Sequence, residues 1–183
     1  MDSADDDATS GPRPILLRPP AVSDEKPSRQ AQEELAWENF EFMFDLDQGT
    51  DWSVYLLRME SQRLGVDLPP NRVPATFLLA ETEEEVVGRV SIRHELNDYL
   101  AQVGGHIGYA VRPGFRRRGY ATAIMGQSLM IASTLGLERV LVTCDANTLG
   151  SATVIENCGG ALQNVVLGDG SVPKYRYWVE TGW

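Results

Sequence analysis

Four arginines, Arg112, Arg116, Arg117 and Arg118, fall within seven residues and are followed at once by Gly119, Tyr120 and Ala121. Between Tyr99 and Leu137 they are the only formal charges, with no Asp or Glu among them. A helix pattern starts directly after. The first turn of a helix carries backbone N–H groups with no partner inside the helix, and its dipole favours an anion there. Gly119 has no side chain to block a ligand from the backbone, and arginine forks add charged donors at the rim. Cations at a helix start cost roughly 0.3–1 kcal/mol each, a cost that a bound anion reverses. The pattern suits a diphosphate. A triphosphate loop would need GxxxxGK[ST] and a dinucleotide fold GxGxxG; neither occurs.

Proton transfer has few candidates. The chain has two histidines, His94 and His106, and imidazole titrates close to neutral pH. His106 opens a strand among Gly104, Gly105 and Gly108; His94 and Glu95 close the strand before it. These three are the candidate bases or relays, and Tyr175 on the last hairpin is a candidate acid. The two histidines and Glu95 lack the further ligands of a zinc site. Cys144 and Cys158 have no metal-ligand spacing and no adjacent Lys or Arg, so they read as reduced, unreactive thiols. Ser151 stands in no nucleophile-elbow motif.

The periodicity predicts the elements that must position these groups. A short strand covers Ile15 to Arg18. Helical patterns cover Pro27 to Asp47 and Trp52 to Leu64, the second stopped by Gly65. Strands follow at Ala75 to Ala80, Val86 to His94 and Gly105 to Val111. A helix runs from Tyr120 to Leu135, with Ser128 the one polar member of its apolar stripe. A strand at Arg139 to Cys144, a short helix from Ser151 to Cys158 and a hairpin, Ala161 to Leu167 with Tyr175 to Val179, complete the order. Gly168, Asp169 and Gly170 turn that hairpin. The expected fold is α/β (α+β), a mixed and largely antiparallel central sheet with helices on both faces.

The chain has 183 residues, 26 acidic against 16 basic, for a formal charge of -10. That balance opposes general attraction to nucleic acid or an anionic membrane, and no apolar run approaches a membrane span. The acidic start, MDSADDDATSG, is unlike a targeting segment. Residues 1–13 are expected as an acidic, disordered tail and 14–183 as one domain, in a cytoplasmic protein.

The stretch VRPGFRRRGYAT resembles the acetyl-coenzyme A motif of the GNAT superfamily of N-acetyltransferases, whose Gln/Arg-x-x-Gly-x-Gly/Ala is met by Arg116, Gly119 and Ala121. Cys144 to Gly160 looks like the second conserved region. The resemblance implies a cleft where the fourth and fifth strands splay apart, with acetyl-CoA as co-substrate. The strand at Tyr109, Ala110 and Val111 would hold its pantetheine arm. The loop Arg116, Arg117, Arg118, Gly119, Tyr120, Ala121 and Thr122 would hold its diphosphate. Asn147 and Ser151 would add contacts at the start of the following helix. The implied reaction is direct acetyl transfer to a primary amine of a small molecule or peptide, without a metal. Two positions depart from the family: Thr148 stands where an Asn is usual, and Ile155 where a Tyr acid is usual. A CoA-binding regulatory domain with little turnover, or an acyltransferase for a longer acyl-CoA, are the alternatives. A homodimer is frequent in the superfamily.

Overall fold

Phe77 and Leu79 point to one side of their strand, Leu78 and Ala80 to the other, and all four are buried. A strand covered on both sides needs helices on both sides. The computed structural model, which describes residues 13–167 and 172–182, has them. Its strands are β1 (Leu16–Arg18), β2 (Ala75–Glu81), β3 (Val86–Arg93), β4 (Ile107–Val111), β5 (Arg139–Asp145), β6 (Ala161–Leu167) and β7 (Pro173–Glu180). Its helices are α1 (Glu25–Ala36), α2 (Trp52–Leu64), α3 (Tyr120–Thr134) and α4 (Leu149–Asn157). The expected acidic tail, apart from Arg13, and the turn at Gly168, Asp169 and Gly170 lie outside the described residues.

The α3 and α4 helices cover one face, closing on Val90, Ile92, Ile107, Val140 and Val142. The α1 and α2 helices cover the other, closing on Phe77, Leu79 and Ala110. Ser128 fits the α3 contact because its hydroxyl donates to Ile124 O at 2.7 Å and leaves no polar group unpaired. The α2 helix starts at Asp51, whose carboxylate accepts from the Ser53 and Val54 amides, and stops at left-handed Gly65.

The sequence pattern predicts α1 through Asp47, but it ends at Ala36. The cause is Arg89 on β3, 2% exposed. Its guanidinium donates to Glu41 O at 3.1 Å, Phe42 O at 3.0 Å and Gly108 O at 2.9 Å. It also lies over the Phe40 and Phe44 rings. The Met43 amide goes to Gln32 Oε1. Backbone groups that would continue the helix are spent on side chains instead, which a buried cation without a carboxylate partner requires.

The sheet is not closed. Strands β1-β2-β3-β4 form one antiparallel sheet and β5-β7-β6 another. Among the described residues β4 and β5 share no ladder. They meet at one point, where His106 N–H donates to Leu141 O at 2.7 Å and Leu141 N–H donates back to His106 Nδ1 at 2.9 Å. The imidazole thus replaces a strand carbonyl where the ladder stops.

Gly105 makes that approach possible. Its φ is +64°, and a Cβ there would stand 2.6 Å from Leu141 O. Substitution Gly105→Ala therefore combines a strained backbone with a clash against fixed backbone. We expect a stability loss on the order of 1–3 kcal/mol, read as a lower urea midpoint with an unchanged slope. An unaltered midpoint would contradict this packing.

Candidate active site

From Arg117 to Thr122 the chain turns from a loop into α3, and the six amides of that turn find no hydrogen-bond acceptor among the described residues. Arg117, with φ +63°, and Gly119, with φ +84°, are both left-handed. Alternation of hand swings successive N–H groups into one concavity, a geometry that binds anions. Holding a non-glycine residue at positive φ costs about 1–2 kcal/mol, so the Arg117 conformation is imposed by its surroundings. Gly119 and Thr122 are exposed, Ala121 is half-buried, and Tyr120 anchors the turn by burying its ring. The cradle therefore opens to solvent.

The four arginines divide into two pairs. Arg112, 5% exposed, makes a two-pronged bond to Glu34 at 2.6 and 2.8 Å and donates to Val86 O. Arg116 does the same with Glu38 at 2.7 and 2.8 Å and donates to Val111 O. These bonds hold both carboxyls below their ordinary range. Glu34 and Glu38 are four residues apart, so α1 and its end reach the loop through one face. The Arg116 amide bonds Pro113 O, so this residue shapes the loop. Among the described residues Arg117 and Arg118 make no salt bridge, and their guanidinium groups supply the positive charge around the cradle.

The cleft begins where β4 and β5 part. Tyr109, Ala110 and Val111 pair with β3 along one edge, and along the other they make no bond to β5. The Tyr109 hydroxyl is buried and makes no close hydrogen bond among the described residues, the Ser151 hydroxyl being its polar neighbour. Burial pushes its phenol up to about 12, while Ser151 beside it pulls the other way. The ring therefore reaches from β4 towards α4 across the parting strands. On β5 and β7, Cys144 stands opposite Tyr175 and Val142 opposite Tyr177. Tyr175 is half-buried, in edge contact with Tyr177, whose hydroxyl donates to Glu156 at 2.9 Å. Ile155, where a Tyr would be usual, is 1% exposed.

The histidines have fixed employment. His106 is buried and its Nδ1 lone pair accepts the Leu141 amide, which leaves the ring proton on Nε2. Burial, then nearby Arg93, lowers its pKa to about 4. A neutral ring in that tautomer has no free lone pair for taking a proton. His94 lies 2.8 Å from the Thr76 hydroxyl, with its pKa lowered by burial. Glu95 is exposed at the strand end. Asn147 is exposed before α4, Thr148 stands at its N-cap position without a side-chain capping bond, and Ser151 lies in its first turn, half-buried. The structure thus gathers Tyr109, Tyr175 and Ser151 around the cleft, and sets His94 and Glu95 at the far end of β3.

Three contributing side chains escaped the sequence. Glu34 and Glu38 neutralise half of the arginine cluster from 78 residues away. The Tyr109 side chain, as distinct from its backbone, enters the cleft. Alternation on β4 was the available signal, since it puts Tyr109 on the same face as Ile107 and Val111. Among the described residues no group of His, Cys, Asp or Glu could hold a metal ion. A cavity of about 400 Å³ between α2 and the 66–72 segment, lined by Phe44, Tyr55, Leu57 and Met59, lies apart from the cradle.

A family model described as the acetyltransferase (GNAT) domain matches residues 15–161. The chain belongs to the GNAT acetyltransferases, acyl-CoA-dependent N-acyltransferases. No curated protein sequence matches. Among solved structures, Mycobacterium smegmatis RimJ in complex with CoA-disulfide aligns with a TM-score of 0.66 at 19% identity, over 91% of this chain and 81% of that one. The ribosomal alpha-N-protein acetyltransferase RimL in complex with coenzyme A aligns with a TM-score of 0.65 at 15% identity, over 91% and 93%. A spermidine N-acetyltransferase SpeG chimera from Vibrio cholerae and hSSAT gives 0.63 at 13% identity, over 91% and 95%. At such identities the likeness concerns the fold.

The neutral His106 has a measurable consequence. Its folded pKa, about 4, lies below the ordinary 6.5. The unfolded chain therefore binds the extra proton first, and stability falls as pH drops from about 6.5 towards about 4. In His106→Asn, which keeps an acceptor but does not titrate there, the urea midpoint should depend less on pH across that window. Parallel profiles for the two proteins would show that His106 does not carry the effect.

Proposed function

We propose that this chain transfers the acetyl group of acetyl-CoA to a primary amine of a small molecule or a peptide. The observation that carries the reading is the run of six amides, Arg117 to Thr122, that find no acceptor among the described residues, beside Arg117 and Arg118, which make no salt bridge among them. Those amides would hold the diphosphate, with Arg117 and Arg118 at its rim. The open edge of Tyr109, Ala110 and Val111 would bond the pantetheine arm, and Asn147 and Ser151 would stand where α4 begins. The co-substrate supplies an activated thioester.

Direct attack by an amine needs its ammonium proton removed and the oxyanion that forms stabilised. The structure favours water as the route for that proton, because His106 has its lone pair occupied. Two hydroxyls would serve a donor role: that of Tyr109, whose phenol burial pushes up to about 12, so that it is fit to donate to an oxyanion or a departing thiolate, and that of Tyr175 on β7, opposite Cys144. Tyr109 is the stronger candidate, since its buried hydroxyl makes no close hydrogen bond among the described residues, with Ser151 beside it. The formal charge of -10 biases encounter towards cationic acceptors.

Gly119→Glu would add a carboxylate at the turn that carries these amides, on a backbone at φ +84°. We expect acetyl-CoA affinity, measured by calorimetric titration, to drop about 100-fold or more, equal to about 2.7 kcal/mol, with the cooperative unfolding transition retained. Unchanged affinity would remove the diphosphate from this turn. The transfer itself is tested by following thiol release from acetyl-CoA across polyamines, amino acids and peptides with free N-termini. Release that depends on one acceptor class identifies the substrate. Tight binding without release for any amine would favour a CoA-binding regulatory domain instead. Release only from longer thioesters would change the acyl group assigned.

A further inference from the structure

The fork between β4 and β5 also has a closed end. An arm laid along β4 from the start of α3 passes five residues, roughly 16 Å of strand. Its reacting end comes to Gly108, beside the closure at His106 and Leu141. One face of the sheet is filled there by the side chains under α3 and α4. An acceptor therefore arrives over the other face, where β4 turns only Gly108 and Ala110 towards it. Arg93 and His106 are bonded across β3 and β4 and share that face with Arg89. Thr143 and Arg176 stand opposite each other on the same face, since Val142 and Cys144 point under α3 and α4. The His106 ring lies 6.3 Å from the ring of Trp178, two residues along from Arg176.

These side chains offer donors and no carboxylate. Arg93 is half-buried and donates from Nη1 to Gly104 O at 3.1 Å and Gly105 O at 3.4 Å. Among the described residues its Nε and Nη2 make no hydrogen bond and it makes no salt bridge. It lies against Gly108, where a Cβ would stand 3.1 Å from Nη1. Arg176 donates from Nη2 to Ala101 O at 2.6 Å and from Nη1 to Asn164, and its Nε is buried without a partner. Two arginines from two sheets thus hold one segment, 101–105, across the closed end of the fork. The proton of His106 sits on Nε2, which makes no hydrogen bond among the described residues. Asp145, on this face of β5, is taken by Lys174. Burial lowers the Arg93 pKa, and the ionisable groups that act on it most are Tyr99 and Arg72, neither of them a carboxylate. A desolvated guanidinium without an anion is costly, and a buried donor without an acceptor calls for one.

We propose that Arg93, Arg176 and the Nε2–H of His106 hold a carboxylate of the acceptor, and that the acceptor is a free amino acid. The role of its amine rests on the acyl-transfer reading above; the carboxylate rests on the donor set alone. Guanidinium forks match a carboxylate in shape and charge. With the carboxylate at Arg93 the α-amine is one carbon away, on the side of Gly108 and the end of the arm. A polyamine would set its cations against these arginines. A free amino acid is a zwitterion, so the formal charge of -10 does not repel it. In the transfer the ammonium gives one proton to water and its nitrogen bonds the thioester carbon. The C–S bond breaks, and a second proton passes from nitrogen through water to the thiolate. The products are an N-acetyl amino acid and coenzyme A.

Two readouts on the full chain test this. Binding is followed by NMR of the Arg93 and Arg176 Nε–H signals and the His106 ring, in the coenzyme A complex, as each common amino acid is added in turn. We expect at least one to move all three signals, and its α-carboxamide to bind about 100-fold more weakly. Turnover is followed by thiol release from acetyl-CoA, where the same amino acid should exceed its carboxamide and spermidine by about 100-fold in kcat/KM. Arg93→Gln should raise KM for the amino acid by about tenfold and narrow its lead over the carboxamide, with acetyl-CoA affinity unchanged. Arg176→Gln should do the same, and the wild-type comparison stands if either variant fails to fold. Amino-acid binding without thiol release would uphold the carboxylate site and overturn acyl transfer. Release from a carboxamide or a polyamine at an equal rate would overturn the carboxylate site and leave acyl transfer standing. No amino acid that moves these signals would also overturn it.

Discussion

An amide that finds no acceptor in the protein must find one elsewhere. At the β4–α3 turn six amides in succession find none among the described residues, and most of the fold can be read as the means of keeping them so. The helix cannot use them, because its own ladder begins one turn later, with Ala123 N–H on Gly119 O. Arg117 and Gly119 are both left-handed, a backbone alternation that turns successive amides towards one side. Tyr120 pins the start of α3 in the core. Glu34 and Glu38 take up Arg112 and Arg116, so the loop is clamped to α1 and its end while Arg117 and Arg118 keep their charge. Pre-organised donors lose little freedom when an anion arrives, which is the economy of such a site.

The second constraint is the parting of β4 and β5. A sheet that closed here would bury the edge that the cleft exposes. The contact at His106 and Leu141 ends the pairing with a side chain in the place of a carbonyl, so no backbone group is orphaned at the fork. Beyond it Tyr109 is left with a buried hydroxyl that makes no close hydrogen bond among the described residues. An orphan of that kind is destabilising in isolation, and the opening cleft gives it a function. The buried Arg89 and the half-buried Arg93 support the fork from the other side by gathering carbonyls of Glu41, Phe42, Gly104, Gly105 and Gly108.

What was legible in the sequence was local. The period of Tyr120 to Leu135 gave α3 to within a residue, because its apolar stripe and Gly119 are both short-range signals. The diphosphate reading came from Gly119, Ala121 and the surrounding arginines, again within one turn of chain. The illegible parts are those set by distant partners. No pattern near residue 40 announces that Arg89 will take its carbonyls and end α1 early. The carboxylate-free window from Tyr99 to Leu137 hides that Glu34 and Glu38 arrive from α1 and its end. His106 reads as a base by residue type, and only the position of the Leu141 amide shows that its lone pair is occupied.

The central claim is that the amides of Arg117 to Thr122 are the docking surface for a diphosphate. Backbone amide resonances of those residues, followed by NMR as coenzyme A is added, test it most directly, with pantetheine as the comparison lacking the diphosphate. The account expects these six signals to move together and gain protection from exchange with coenzyme A and to stay in place with pantetheine. Coenzyme A binding that left them unmoved would contradict it.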